Sequence, residues 1–437
     1  MSWLILGAGV SGIEAGRFLR QKNETVFLYD DKHIPSEKQS KLTLLGVNLV
    51  KKIDSSFLLK NIDQGVVLSP GISLAHPIVQ DAKKIGIQTL SETELVLPHY
   101  KGKVIAVTGT NGKSTTCHMI YHILKTLKYK VCLSGNIGTP LSSSIHENPE
   151  IIVLELSSYQ LEQMQSIRAN IGVFTTFSPD HLERHKTLKD YFLAKWKLFD
   201  VKFSSISTAI FDKKINKHIK LYVKEKTEIP TDTVEEKEVL YLQENLTNLE
   251  PHNILNATLA CKACLSITNA SFTNTVQALS NFKKIPHRFE QIDYIYDTLI
   301  INDSKATNLE STIAALESCE KDVILLLGGI SKTIDFSPLK KYKYKVNEIL
   351  CFGDASSIIY KSLCSSFKIN SYASLSSLML DLHAIIKRNK AKFVLLSPAC
   401  ASYDEFKSFN HRGDFFKKEI KKIQEKIACK KNPRKTF

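Results

Sequence analysis

The sequence predicts an α/β protein built on parallel sheets and laid out in three blocks. Apolar runs of strand length alternate with helix-length amphipathic segments along the chain, the pattern of parallel strands joined by helical crossovers. Two glycine-rich turns, residues 7–12 and 109–115, each fall where a strand-like run gives way to a helical one. The 437 residues, at roughly 100–200 per domain, call for two to four domains.

Composition narrows the class. Hydrophobic residues make up 43% and charged residues 24%, enough apolar material for several cores. No apolar stretch of about 20 residues occurs, so no membrane span is expected. The opening Met1-Ser-Trp-Leu-Ile-Leu-Gly lacks the basic flank and long apolar region of a secretory signal and reads as a first strand. Nine scattered cysteines, an odd number without framework spacing, favour reduced thiols and a cytoplasmic setting. Cys261 and Cys264 form a CxxC pair inside a helical run, 253–267, with no second pair, which argues against metal or redox chemistry there. The formal charge of +15 is carried by dispersed lysines, a solvated surface, except over 417–435, which reads as a basic helix and tail. No nucleic-acid partner is expected.

The first block, 1–98, opens with a strand at 4–6, a glycine turn and a helix to about residue 21, then strands at 25–29 and 65–68. Gly7-x-Gly9-x-x-Gly12, with Asp30 about 20 residues on, matches the dinucleotide fingerprint. The same geometry serves any nucleotide diphosphate, so it does not single out a nicotinamide.

The second block, 99–284, carries the strongest motif. A strand at 104–108 feeds Gly109-Thr110-Asn111-Gly112-Lys113-Ser114-Thr115 and then a helix with Met119, Ile120, Ile123, Leu124 and Leu127 on one face. Such a turn aims successive backbone N–H groups and a helix dipole at a phosphate. Lys113 would reach the β/γ-phosphates and Ser114 would ligate Mg²⁺. Val107 stands where the strict Walker pattern has its first glycine, so the loop is a variant. A strand at 151–154 ends at Glu155, where carboxylates commonly hold the metal of a bound nucleotide. A third strand, 171–175, precedes Asp180-His181, and Lys195 follows on a helical segment. Residues 224–238, polar and charged, are expected to be a surface excursion.

The third block, 285–437, is expected to hold a hairpin at 291–301 and strands at 323–327, 349–352 and 393–396. Residues 302–308 pack an acid, a cation, hydroxyls and amides into one loop, a density suited to binding.

Assembled in this order, the motifs resemble the Mur ligases, the ATP-dependent amino-acid-adding enzymes of peptidoglycan synthesis. The resemblance runs from Gly7 to about Phe416. It implies three α/β domains: a Rossmann-like UDP-binding domain, a central P-loop ATPase domain and a C-terminal Rossmann-like domain. It implies a catalytic set of Lys113, Glu155, His181 and Lys195, the last carried as a carbamate. ATP contacts are implied at 109–115, at Asn253 and Asn256, and at His287, Arg288, Asp303 and Lys305. Two Mg²⁺ ions are implied, with Ser114, Glu155, His181 and the Lys195 carbamate as their ligands.

Further segments resemble the branch that adds D-glutamate to UDP-N-acetylmuramoyl-L-alanine: Ser69-Pro-Gly-Ile72, Gly135-Asn-Ile-Gly138, the 302–308 loop, Leu327-Gly-Gly-Ile-Ser-Lys332 and Ser397-Pro-Ala-Cys-Ala-Ser-Tyr403. That resemblance implies UDP-substrate contacts at Val10, Ser11, Asp30, Gly71 and Asn136. It implies a D-glutamate site at Thr307, Lys332, Ser402, Tyr403 and Phe409, and a monomer. The Asp-Asn-Pro-Arg run expected of the diaminopimelate-adding relatives is not in the sequence. Glu183 stands where the family usually has Asp, and Pro251 where it usually has Gly. A folate polyglutamate synthetase would lack the first block. A nicotinamide-dependent oxidoreductase would leave the second glycine turn and Glu155 unexplained, and the retained candidate metal and phosphate ligands argue against a non-catalytic nucleotide-binding regulator.

Overall fold

A computed structural model describes residues 1–224, 229–247, 249–331, 333 and 335–431. The chain forms two compact units, one of Met1–Leu249 with Asn253–Phe282 and one of Glu250–His252 with Lys283–Phe437.

The first unit holds two parallel sheets. One contains β1 (Ser2–Leu6), β2 (Thr25–Tyr29), β3 (Asn48–Leu49), β4 (Gly65–Leu68) and β5 (Thr89–Ser91) in the order β3-β2-β1-β4-β5. The other contains β6 (Lys103–Thr108), β7 (Val131–Gly135), β8 (Ile151–Glu155), β9 (Ile171–Phe174), β10 (Thr208–Phe211) and β11 (Thr231–Thr233) in the order β11-β10-β9-β6-β8-β7. Helices cover both faces of such a sheet, which is why β6, β8 and β9 read as unbroken apolar runs rather than alternating ones. β6 is the switch point, with β8 on one side and β9 on the other. Its loop therefore lies at the carboxyl ends of the strands beside the switch point, where open α/β sheets bind ligands.

The two sheets are joined by a buried and a half-buried carboxylate. Glu92 accepts from the Ser142 N–H (2.6 Å), and Glu94 accepts from the N–H groups of Gln165 (2.5 Å) and Ser166 (3.0 Å). Burial raises the pKa of both carboxylates.

The second unit has one mixed sheet: β12 (Glu290–Ile295), β13 (Thr298–Asn302), β14 (Val323–Gly328), β15 (Val346–Phe352), β16 (Ile369–Tyr372) and β17 (Phe393–Ala399), ordered β12-β13-β17-β14-β15-β16. The expected hairpin is β12–β13, an antiparallel pair, while the other strand pairs described are parallel. The basic segment forms the helix Phe409–Lys431, and its remainder lies outside the described residues.

The expected surface excursion at 224–238 needs correction. Residues 225–228 lie outside the described residues, but the rest forms edge strand β11 and the start of the helix Glu236–Asn245, with Ile229 and Val234 buried. Thr-Asp-Thr shows no apolar alternation because the strand is held by its ladder and by Lys262. That buried ammonium pairs with Asp232 and Glu238, both at 2.7 Å. Cys261 and Cys264 are buried free thiols whose pKa is raised by burial, inert packing as expected. Among the described residues, no helix is long and apolar enough to cross a membrane.

Candidate active site

The glycine turn after β6 is shaped by steric necessity. Gly109 has φ +141°, and a Cβ there would lie 2.0 Å from Thr175 Oγ1. Gly112 has φ +85° and begins the helix Lys113–Thr126, and its Cβ would lie 2.3 Å from Asn256 Oδ1. Neighbouring hydroxyls and amides brace the loop. Thr110 N–H donates to Thr176 O (2.7 Å), Asn111 N–H to Thr176 Oγ1 (3.1 Å), and Thr175 Oγ1 to Asn111 O (2.5 Å). Asn256 accepts from Thr116 Oγ1 (3.3 Å) and donates to Asn253 Oδ1 (3.1 Å), so Asn256 sits against the start of this helix and Asn253 is bonded to it.

Lys113 Nζ curls back onto the carbonyls of Gly109 (3.0 Å) and Thr110 (2.7 Å). Lys195 Nζ also donates to Gly109 O (2.6 Å), from the helix Leu188–Trp196. Lys195 is 1% exposed, and Tyr191, one turn earlier, places its ring 4.5 Å from the ammonium and its hydroxyl on Thr110 Oγ1 (3.2 Å). Burial holds Lys195 well below the ordinary lysine pKa and the charge of Lys113 pushes the same way, while Asp180 and Glu155 oppose it.

Register brings the acidic and imidazole groups to the same edge. Val107 of β6 lies opposite Glu155 of β8, and Thr108 opposite Phe174 of β9. The loop after β9 presents His181 in a left-handed conformation (φ +54°). Its Nδ1 lies 2.9 Å from Tyr159 Oη and its Nε2 3.7 Å from Asp180 Oδ2.

Glu155 is 1% exposed. Its Oε1 accepts from Asn136 Nδ2 (2.7 Å), and its buried Oε2 has no hydrogen-bond partner among the described residues. A desolvated, half-satisfied carboxylate is costly unless something charged completes it. A hard, oxygen-seeking cation fits, as does the Ser114 hydroxyl at the helix start. Among the described residues no three His, Cys, Asp or Glu side chains form a ready-made metal cage.

In the first sheet, Gly7 (φ +100°) and Gly12 let the turn close on itself. Asp30, expected at the substrate, accepts from Ala8 N–H (2.7 Å) and Lys32 N–H (2.9 Å), so it also pins the turn. Val10 and Gly71 are exposed and Ser11 half-buried around it.

In the second unit, Asp303 is enclosed. It accepts from Ser397 Oγ (2.8 Å) and Phe289 N–H (3.1 Å), and burial pushes its pKa up to about 7 against the pull of Arg288 and Arg412. His287 (φ +63°) is buried with its Nδ1 2.9 Å from Asn302 Nδ2, and burial lowers its pKa. Lys305 Nζ sits 3.9 Å from the centre of the Phe409 ring. Ser402 is buried, Thr307 half-buried and Tyr403 largely exposed. Lys332 lies outside the described residues.

Sequence reasoning gave no role to Tyr159, Tyr191 or Arg412. Arg412 is fully buried. It donates to Ser304 Oγ (3.0 Å), Ser304 O (2.8 Å), Gly328 O (3.3 Å) and Cys400 O (3.1 Å), tying together the three loops expected to bind D-glutamate. The position of Tyr191 four residues before Lys195 was a usable signal. Arg412 offered none, because Gly328 and Ser304 are 84 and 108 residues away.

A glycine turn between strand and helix, an under-satisfied carboxylate and a buried lysine lie at one edge of a parallel sheet, as a nucleotide-dependent ligase would need. The chain belongs to the Mur ligase family. Residues 107–264 match the Mur ligase middle domain, and residues 1–91 match the model described as Mur ligase MurD-like, N-terminal domain. The UDP-N-acetylmuramoylalanine–D-glutamate ligase of Prochlorococcus marinus (strain MIT 9312) is 34% identical, the match covering 95% of this chain and 96% of the relative. That of Hydrogenobaculum sp. (strain Y04AAS1) is 33% identical over 97% and 99%. Among solved structures, UDP-N-acetylmuramate-alanine ligase from Thermotoga maritima shares the fold with a TM-score of 0.56 at 16% identity, covering 97% of this chain and 99% of that one.

Proposed function

We propose that this ligase adds D-glutamate to UDP-N-acetylmuramoyl-L-alanine, with ATP converting the alanyl carboxylate to an acyl phosphate. The observation that carries the reading is the Glu155–Lys113–Lys195 edge: a carboxylate oxygen without a hydrogen-bond partner among the described residues, and two lysines on the carbonyls of one phosphate-type turn. The D-glutamate assignment is supported by identity to relatives of that name along nearly the whole chain.

A carboxylate does not acylate an amine in water, so activation comes first. The turn 109–115 would cradle the β/γ-phosphates, with Lys113 leaving its two carbonyls to follow the γ-phosphate. Mg²⁺, held by Ser114 and Glu155, with a second ion near His181, would supply charge neutralisation. The alanyl carboxylate oxygen attacks γ-phosphorus and ADP leaves. The D-glutamate amine then attacks the acyl carbon, the C–O bond breaks and phosphate departs carrying that oxygen. His181 is the first candidate to take the amine proton. Lys195 would act as a carbamate, since burial lowers its pKa and so favours the neutral amine, the form that reacts with carbon dioxide.

Val10, Ser11, Asp30, Gly71 and Asn136 would hold the UDP-substrate. Asn253, Asn256, His287, Arg288, Asp303 and Lys305 would meet ATP. Thr307, Lys332, Ser402, Tyr403 and Phe409 would hold D-glutamate, whose two carboxylates need charged or hydroxyl donors. The domains run 1–98, 99–284 and 285–437, and the enzyme acts as a cytoplasmic monomer. A cytoplasmic setting is supported by its nucleotide substrates, ATP and a UDP-sugar.

Substrate labelled with ¹⁸O in the alanyl carboxylate tests the chemistry. One labelled oxygen should appear in the released phosphate. Unlabelled phosphate alongside full product formation would rule out the acyl phosphate.

A further inference from the structure

The loop Ser69-Pro-Gly-Ile72 is held from two sides. Ser69 Oγ donates to Gly7 O (3.1 Å), joining it to the glycine turn of the first sheet. From the second sheet, Gln163 Nε2 donates to Ile72 O (2.6 Å) and Ser69 O (3.2 Å), and Arg184 Nη2 donates to Ile72 O (3.3 Å). Gln163 is fully buried. Its amide orientation is forced, because carbonyls only accept and the reversed amide would set oxygen against two oxygens.

Both donors belong to elements that also carry the phosphate-transfer groups. Gln163 ends the short helix Ser158–Gln163, which starts three residues after Glu155. Arg184 lies three residues after His181. It is braced by Glu162 (Nε 2.8 Å, Nη2 2.7 Å to Oε2) and by the Tyr159 ring at 4.5 Å, and the Tyr159 hydroxyl is on His181 Nδ1 (2.9 Å). A continuous polar chain thus runs from Ile72 O through Arg184 and Tyr159 to His181.

We propose that Gln163 and Arg184 are positioning residues that fix loop 69–72 relative to Glu155 and His181, and so set where the alanyl carboxylate of the bound UDP-substrate meets the γ-phosphate. This rests on reading that loop as a UDP-substrate contact. Neither side chain need touch substrate: each acts through the Ile72 carbonyl, and a small misplacement of reacting atoms is enough to slow chemistry.

The test is steady-state kinetics with UDP-N-acetylmuramoyl-L-alanine, ATP and D-glutamate, together with the melting temperature and affinity for a non-hydrolysable ATP analogue. Gln163→Met keeps length and burial but donates nothing. It should raise KM for the UDP-substrate about tenfold, the worth of one hydrogen bond, and lower kcat, with ATP-analogue affinity unchanged. Arg184→Met should do the same, and Arg184→Lys should recover part of the loss. The double Met variant, which strips the Ile72 carbonyl of both donors, should lose more kcat/KM than the product of the single losses. A wild-type enzyme that turns over while Gln163→Met keeps its KM and kcat overturns the inference alone. So does a loss of ATP-analogue affinity and melting temperature in step with KM, which marks a merely structural role. A folded wild type without turnover overturns the underlying reading and the inference with it.

Discussion

Asp303→Asn should make the protein more stable, by an amount that grows with pH. The Asp303 carboxyl is enclosed and titrates at about 7 in the folded chain, against ~3.9 when unfolded. Below the unfolded value both states are protonated and the side chain contributes fully. As pH rises past it, the unfolded state ionises while the folded state keeps its proton, so stability falls until the folded group ionises too, near pH 7. At about 1.4 kcal/mol per pH unit, levelling off as the folded group ionises, the loss is about 4 kcal/mol in all and about 3 kcal/mol between pH 5 and 8. Asparagine can still accept from Phe289 N–H and meet Ser397 Oγ, and it does not titrate. The assay is thermal melting of both proteins from pH 5 to 8, reading the difference so that other groups cancel. The gap in favour of Asp303→Asn should widen by roughly 6–12 °C, at about 2–4 °C per kcal/mol for a body of this size. A gap that stays constant with pH would refute the reasoning.

Two further outcomes follow from the nucleotide edge. Glu155→Gln should lose most of the stabilisation that Mg·ATP gives the wild type, about 2.7 kcal/mol at a hundredfold excess over Kd; an equal melting shift in both proteins would contradict the metal reading. Carbon-dioxide-free buffer should slow turnover by about 10- to 100-fold, reversibly on adding bicarbonate, because the neutral Lys195 amine loses its carbamate; a rate indifferent to bicarbonate would exclude that role.

The parts of this molecule that were legible in its sequence are those whose signal is local. β4 falls on the residues its apolar run marks, since a strand buried on both faces needs unbroken apolar side chains, and β2, whose burial alternates, falls on its run as well. The turn at 109–115 was legible because only glycine tolerates its backbone. β11 was hidden, since an edge strand held by backbone pairing and by Lys262 needs no apolar pattern. The bond between Tyr159 and His181, and the convergence of Gln163 and Arg184 on Ile72, depend on contacts 22 to 112 residues apart. The buried state of Lys195 was equally hidden, because a lysine on a helix reads as surface until packing is known.

The central claim is tested most directly by phosphate release from ATP with UDP-N-acetylmuramoyl-L-alanine across a panel of amino acids, with Mg²⁺ and bicarbonate present. Release that requires both the UDP-substrate and D-glutamate is the predicted result. Release with a different amino acid and none with D-glutamate would contradict the account.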